Sequence, residues 1–310
     1  MITRCATFRA VILPGGFVAT LRRLPVLVCL VVLSALSLDC RQQTTLLTQL
    51  DDARSLAADL RVQFNEAADA SNRAVMADTD EASIAFARES EQATQVVEND
   101  AKELAPLLRA LAFPEEIRVF EEFKRHFSEY RELDRKILAL AVENTNLKAH
   151  SLSVGPARQA ADKFRDSLAA LASGFPPKDQ CRASALVAQA VTAVREIQVL
   201  HAPHIAERDD PSMSKLEAEM SSLDSTANEA LKALDELAPP SARASLTAAR
   251  AALDEFKATS AKIVELSRRN TNVLSLDLSL RKRPPLAARC DERLRALQGA
   301  LANERSKAMC

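Results

Sequence analysis

The segment KILALAVENTN at Lys136–Asn146 returns as KIVELSRRNTN at Lys262–Asn272, 126 residues later. The same ungapped shift relates most of the chain from Leu46 to the C-terminus. Leu186, Ala190, Ala193, Ile197 and Leu200 follow Leu60, Phe64, Ala67, Ser71 and Ala74 at this distance. Leu223, Ala227, Leu234 and Leu237 follow Val97, Ala101, Leu108 and Leu111, and Pro240 follows Pro114. Leu294 and Leu297 follow Leu168 and Leu171. Agreement of apolar stripes, breaks and identities without a gap predicts two like units, each built the same way.

The stripes step by three and four residues, as one face of a helix requires. Leu46, Leu50, Ala53, Ala57, Leu60 and Phe64 begin the first, and Phe120, Phe123, Phe127, Tyr130, Ile137, Leu140 and Asn144 trace the longest. Aromatics are only 4% of the residues, with one Tyr, no Trp and five Gly, a composition of long helices rather than sheets. Thr79 or Asp80 is placed to cap a second helix, Pro114-Glu115-Glu116 to open a third, and Val154-Gly155-Pro156 to break it. A short fourth helix carries Ala160, Phe164, Leu168 and Leu171 and ends at Gly174-Phe175-Pro176-Pro177. Short connections between helices force antiparallel neighbours. The expectation is an all-α protein of two tandem antiparallel four-helix bundles, residues 41–174 and 175–310. An alternative runs the fourth helix of one unit straight into the first of the next, as one rod.

Residues 1–40 are expected to be a signal peptide or a short membrane anchor. Arg22-Arg23 precede the apolar run Leu24–Leu38, and Ala35 and Ser37 are small, as at a cleavage site. A spanning helix needs roughly twenty apolar residues, so the run is short for an anchor. Lipidation at Cys40 is a third option. Each places the remainder outside the cytoplasm, in the periplasm or cell envelope, secreted or tethered by its N-terminus.

Asn144 and Asn270 fall on core stripes, with Asp134 and Ser260 about three turns earlier on the same faces. Buried amides set helix register, or they contact a small ligand between helices. His201, His204 and Glu207 are spaced by three, which on a helix brings three metal-ligating groups toward one face; a solvated helix tip is the other reading. Outside the leader, Cys181 and Cys290 are the preferred disulfide partners, although Cys290 also sits on a core stripe. No phosphate loop, dinucleotide fingerprint, G-x-S-x-G or H-E-x-x-H occurs. No enzymatic activity and no cofactor are expected. Lys plus Arg number 41 against 42 Asp plus Glu, so no basic field recruits nucleic acid.

The Asn-Thr-Asn ends of two long stripes at Lys136–Ser153 and Lys262–Ser279, the His204-Ile205-Ala206-Glu207 turn and the leader together resemble the extracytoplasmic four-helix-bundle sensor domain of methyl-accepting chemotaxis receptors. The resemblance covers about residues 41–305, once per unit. It implies binding of a small molecule in the helical interior or at a dimer interface. The sequence carries no second apolar run, linker or signalling hairpin, so ligand or partner-protein binding is what carries over. Partners implied are a small molecule, partner helices or a second copy. A structural cell-envelope protein without a ligand is the rival reading, and a metal-binding protein the third.

Overall fold

The structure is a computed structural model that describes the backbone of residues 24–172 and 174–309 and the side chains of 45–171 and 174–307. Every regular element among the described residues is helical. In chain order these are α1 (Leu24–Met76), α2 (Asp80–Leu111), α3 (Pro114–Glu143), α4 (Thr145–Leu152), a π-helical turn (Ser153–Ala157) and α5 (Arg158–Ala172). They are followed by α6 (Pro177–Ala206), α7 (Asp210–Leu237), a 3₁₀ turn (Pro240–Ala242), α8 (Arg243–Arg269), α9 (Thr271–Asp277), a second π turn (Leu278–Lys282) and α10 (Arg283–Met309).

Local chemistry sets the ends. Thr79 caps α2 by accepting the Ala82 amide at 3.1 Å, with Asp80 and Glu81 in the first turn. Asp209 caps α7 through the Ser212 amide at 2.9 Å. Pro114 opens α3, where its missing N–H has no helical partner to lose. Gly155-Pro156, expected to stop the third helix, does not. The chain widens there into a π turn, which absorbs the proline's absent donor and lets α4 run on into α5. The break comes earlier, at Asn144, and again at Asn270. Both adopt left-handed backbone (φ 50° and 52°), a conformation that Asn tolerates better than other residues with a side chain.

The cores divide the helices in a way that the order of the chain does not suggest. Leu60 and Phe64 of α1, Val97 and Leu104 of α2, and Phe120 and Phe123 of α3 pack with Cys290, Leu294, Leu297 and Leu301 of α10. Phe164, Leu168 and Leu171 of α5 pack instead with Ala190 and Ile197 of α6, Leu231 and Leu234 of α7, and Phe256 of α8. The two bundles therefore exchange their fourth helices. Residues 41–174 and 175–310 are not self-contained units, because each core is closed by a helix from the other half of the chain. Gly174-Phe175-Pro176 is the hairpin between α5 and α6 within the second bundle, neither a hinge between bundles nor a straight junction. Burial of a leucine is worth about 1.5–3 kcal/mol, so the three of α10 contribute roughly 5–9 kcal/mol, comparable to the net stability of a whole domain. The exchange is therefore integral to the fold.

Among the described residues no helix is long and apolar enough to cross a membrane. The leader expected at residues 1–40 lies outside the residues whose side chains are described, as do Cys5, Cys29, Cys40 and Cys310.

Candidate functional site

The two polypeptide crossings between the bundles meet at the repeated Asn-Thr-Asn. The Thr145 amide donates to Thr271 Oγ1 at 3.2 Å and the Thr271 amide to Thr145 Oγ1 at 3.1 Å. The Asn146 amide donates to Asn272 Oδ1 at 3.1 Å and the Asn272 amide to Asn146 Oδ1 at 3.2 Å. Asn146 Nδ2 donates to Asn270 Oδ1 at 2.8 Å, and Asn272 Nδ2 to Asn144 Oδ1 at 2.9 Å. The first amides of α4 and α9 have no helical acceptor, so each segment caps the other. Asn144 and Asn270 are buried, as their stripes require, and they end helices at the crossing. Asn270 Nδ2 donates to the Glu207 carbonyl at 2.7 Å, whereas Asn144 Nδ2 is buried without a partner.

Asp134 and Ser260, 126 residues apart, lie in polar layers of opposite bundles. Asp134 is fully buried and accepts from Ser71 Oγ at 2.6 Å and Arg283 Nη1 at 3.2 Å; Arg283 also bonds Asn72 and Ser71. Burial raises the Asp134 carboxyl above its usual range, outweighing the Ser71 and Arg283 contacts that pull it down. The Tyr130 hydroxyl and Asp134 Oδ2 are both buried there without a partner. Arg283, supplied by the exchanged α10, brings a positive charge to Asp134 in this layer, and nothing in its local sequence marks it.

In the second bundle the layer is neutral. His201 is fully buried, with Nδ1 at 3.2 Å from Ser153 Oγ, Nε2 at 3.0 Å from Ser260 Oγ, and its ring stacked on Phe256 at 5.9 Å. Desolvation, then the neighbouring His204, lowers its pKa to about 4. His204 is also buried, between Ser267 Oγ at 2.8 Å and the Glu217 carboxylate at 2.9 Å. Glu207 lies beyond the end of α6 and accepts the Arg208 and Asp209 amides. The metal expectation is thus corrected: the three side chains diverge to separate partners. Among the described residues no group of three His, Cys, Asp or Glu could hold a metal ion. The disulfide expectation is corrected too. Cys181 is an exposed thiol on α6, while the helix exchange carries Cys290 into the other core, also as a free thiol. Burial raises the Cys290 thiol to about 12.

Beside the His201 layer, the seam between α7 and α8 opens as a groove of about 410 Å³. Ile197, Met220, Phe256 and Val264 give it an apolar floor, and Ser260, Ser221, Glu217, Asp224 and Lys257 supply polar groups. Glu217 Oε1 accepts from His204 and, at 2.6 Å, from Arg268 Nε; the Arg268 contact in particular holds its pKa below the usual carboxylate range. Asp224 pairs with Lys257 at 2.9 Å. A larger groove of about 600 Å³ in the first bundle is lined mostly by charged groups, among them Glu98, Lys124, Arg131 and Arg135. Small-molecule sites are mainly apolar with a few convergent polar groups, which favours the groove of the second bundle.

Of the candidate site residues read from the sequence, Ser260 lines this groove, with His201 and His204 directly behind it. Glu217, Asp224 and Lys257 were not foreseen, and Phe256, at the stripe position of Tyr130, reads from the sequence as core alone. The signal that could have found them was the contrast at the 126-residue offset, where they replace Glu91, Glu98, Tyr130 and Arg131. No protein-family model matches this chain, and no curated protein matches its sequence.

Proposed function

We propose that this chain is an exported, non-catalytic helical binding protein that takes up a small molecule in the groove between α7 and α8. The single observation that carries the reading is that groove, apolar at its floor and polar at its rim, beside the buried His201–Ser260 pair. The exchanged fourth helices support it by making a rigid frame, so that occupancy between α7 and α8 would bear on a helix, α8, that continues through Asn270 into the other bundle. This is the behaviour expected of a sensor-like domain, to which the sequence bears its resemblance. The apolar leader supports export or tethering to a membrane.

The experiment is a thermal-shift and calorimetric screen of the full chain against small metabolites, repeated on Ala261→Trp, which covers the groove from its exposed rim. Stabilisation of the parent, lost in the variant, is expected. If no compound stabilises the protein and it forms concentration-dependent oligomers, the structural cell-envelope reading replaces this one.

A further inference from the structure

The chain contains its own comparison for the groove. In the first bundle, Arg131 lies at the place in α3 that Lys257 takes in α8, 126 residues on. Its guanidinium is buried in the seam, bonded to Glu91 through Nη2 and to Glu98 through Nε at 3.4 Å. Glu91 and Glu98 are the counterparts of Glu217 and Asp224. The second bundle keeps both carboxylates but not this shared guanidinium: Arg268 bonds Glu217 through Nε at 2.6 Å, and Lys257 pairs separately with Asp224 at 2.9 Å. The Lys257 side chain is 41% exposed against 6% for that of Arg131. It turns outward to Asp224 and leaves the seam open.

We infer that the groove takes an organic cation, a guanidinium or primary amine on an apolar body, whose charged head occupies between Glu217 and Asp224 the place that Arg131 fills between Glu91 and Glu98. The inference rests on the binding reading above and names its ligand class. The His204 and Arg268 bonds to Glu217 both use Oε1. Asp224 accepts from Asn228 Nδ2 at 3.1 Å on one oxygen and pairs on the other with a half-exposed lysine, a surface ion pair that is a weak competitor. A guanidinium presents a planar fork of donors suited to two carboxylates. The apolar body would lie along Met220, Val264 and Phe256, where the ring adds a cation-compatible face. Neutral His201 behind the floor brings no opposing charge. Lys257 lines the groove and Arg268 stands against Glu217, and their attachment to Asp224 and Glu217 orders the carboxylates.

Calorimetry on the full chain with benzylamine and butylguanidinium, against benzyl alcohol, butylurea and phenylacetate, tests this. The cations should bind at least about tenfold more tightly than their neutral isosteres, the difference that one charge-assisted contact makes. Asp224→Asn should erase that preference. Lys257→Arg, which places a tethered guanidinium between the two carboxylates as in the first bundle, should abolish binding while leaving the unfolding midpoint unchanged or higher, so that loss of fold is excluded. Neutral or anionic compounds binding as well as the cations would overturn the ligand class and leave the binding reading standing. Failure of every compound here and in the broader screen would overturn both.

Discussion

Thr145 and Thr271 stand with their hydroxyl oxygens 3.1 Å apart, each accepting the backbone amide of the other across 126 residues of chain. Reciprocal bonds of this kind are the signature of a two-fold contact, here between two crossings of one polypeptide. Thr→Val at either position keeps the shape, removes the hydroxyl and leaves a buried amide without an acceptor. Each single variant is expected to lose about 1–3 kcal/mol of stability. The double variant should lose less than the sum, since the two act on one another. Urea unfolding of the four-member cycle measures this coupling, and strict additivity would refute the mutual cap.

The left-handed positions separate backbone from side chain. Asn144→Gly and Asn270→Gly keep the conformation, and the Ala variants should each be about 1 kcal/mol worse than Gly. Asn270→Gly should be the costlier glycine variant, because it removes two hydrogen bonds, from Asn146 and to Glu207, where Asn144→Gly removes one. Thermal melts of the four variants give the ranking.

Arg283 is the counter-charge that α10 carries into the first core. Arg283→Met leaves the Asp134 carboxylate buried and unpaired and should cost about 3–5 kcal/mol. Adding Asp134→Leu removes the stranded charge and should recover most of that loss. A double variant as unstable as the single one would mean that packing around Arg283, not charge, is what matters.

His201 makes stability depend on pH. Its pKa falls from an ordinary 6.5 to about 4 in the folded chain, so the neutral ring is the native form. Stability is fully present above about 6.5 and is lost as pH falls toward 4, where the unfolded chain takes up the proton first. The full linkage is about 3 kcal/mol. Denaturation of the wild type and His201→Gln at pH 7.5 and 4.5 should show a smaller acid loss in the variant. Equal losses would place the titration elsewhere.

The stripes Leu60–Phe64, Phe120–Phe127 and Leu294–Leu297 were legible as buried helix faces because periodicity depends only on local geometry. The capping role of Thr79 and the opening of α3 at Pro114 were legible for the same reason. Asn144 and Asn270 could be read as buried, but not as helix ends, since a left-handed residue leaves no periodic mark. Gly155-Pro156 misled because a π turn can accommodate a proline that an α-helix cannot. The His201–His204–Glu207 spacing misled because it measures a face, not the partners facing it.

The sequence by itself determined that the chain is helical, where its apolar faces run, and which residues stand 126 apart. Only the tertiary structure decided which bundle each fourth helix joins. A stripe such as Leu294–Leu297–Leu301 would satisfy either core, because apolar burial is not directional. The Thr145–Thr271 crossing directs the choice with hydrogen bonds between residues far apart in the chain. The same distance hid the groove: Lys257 and Arg131 are both cations in the sequence, and only packing turns one outward and buries the other.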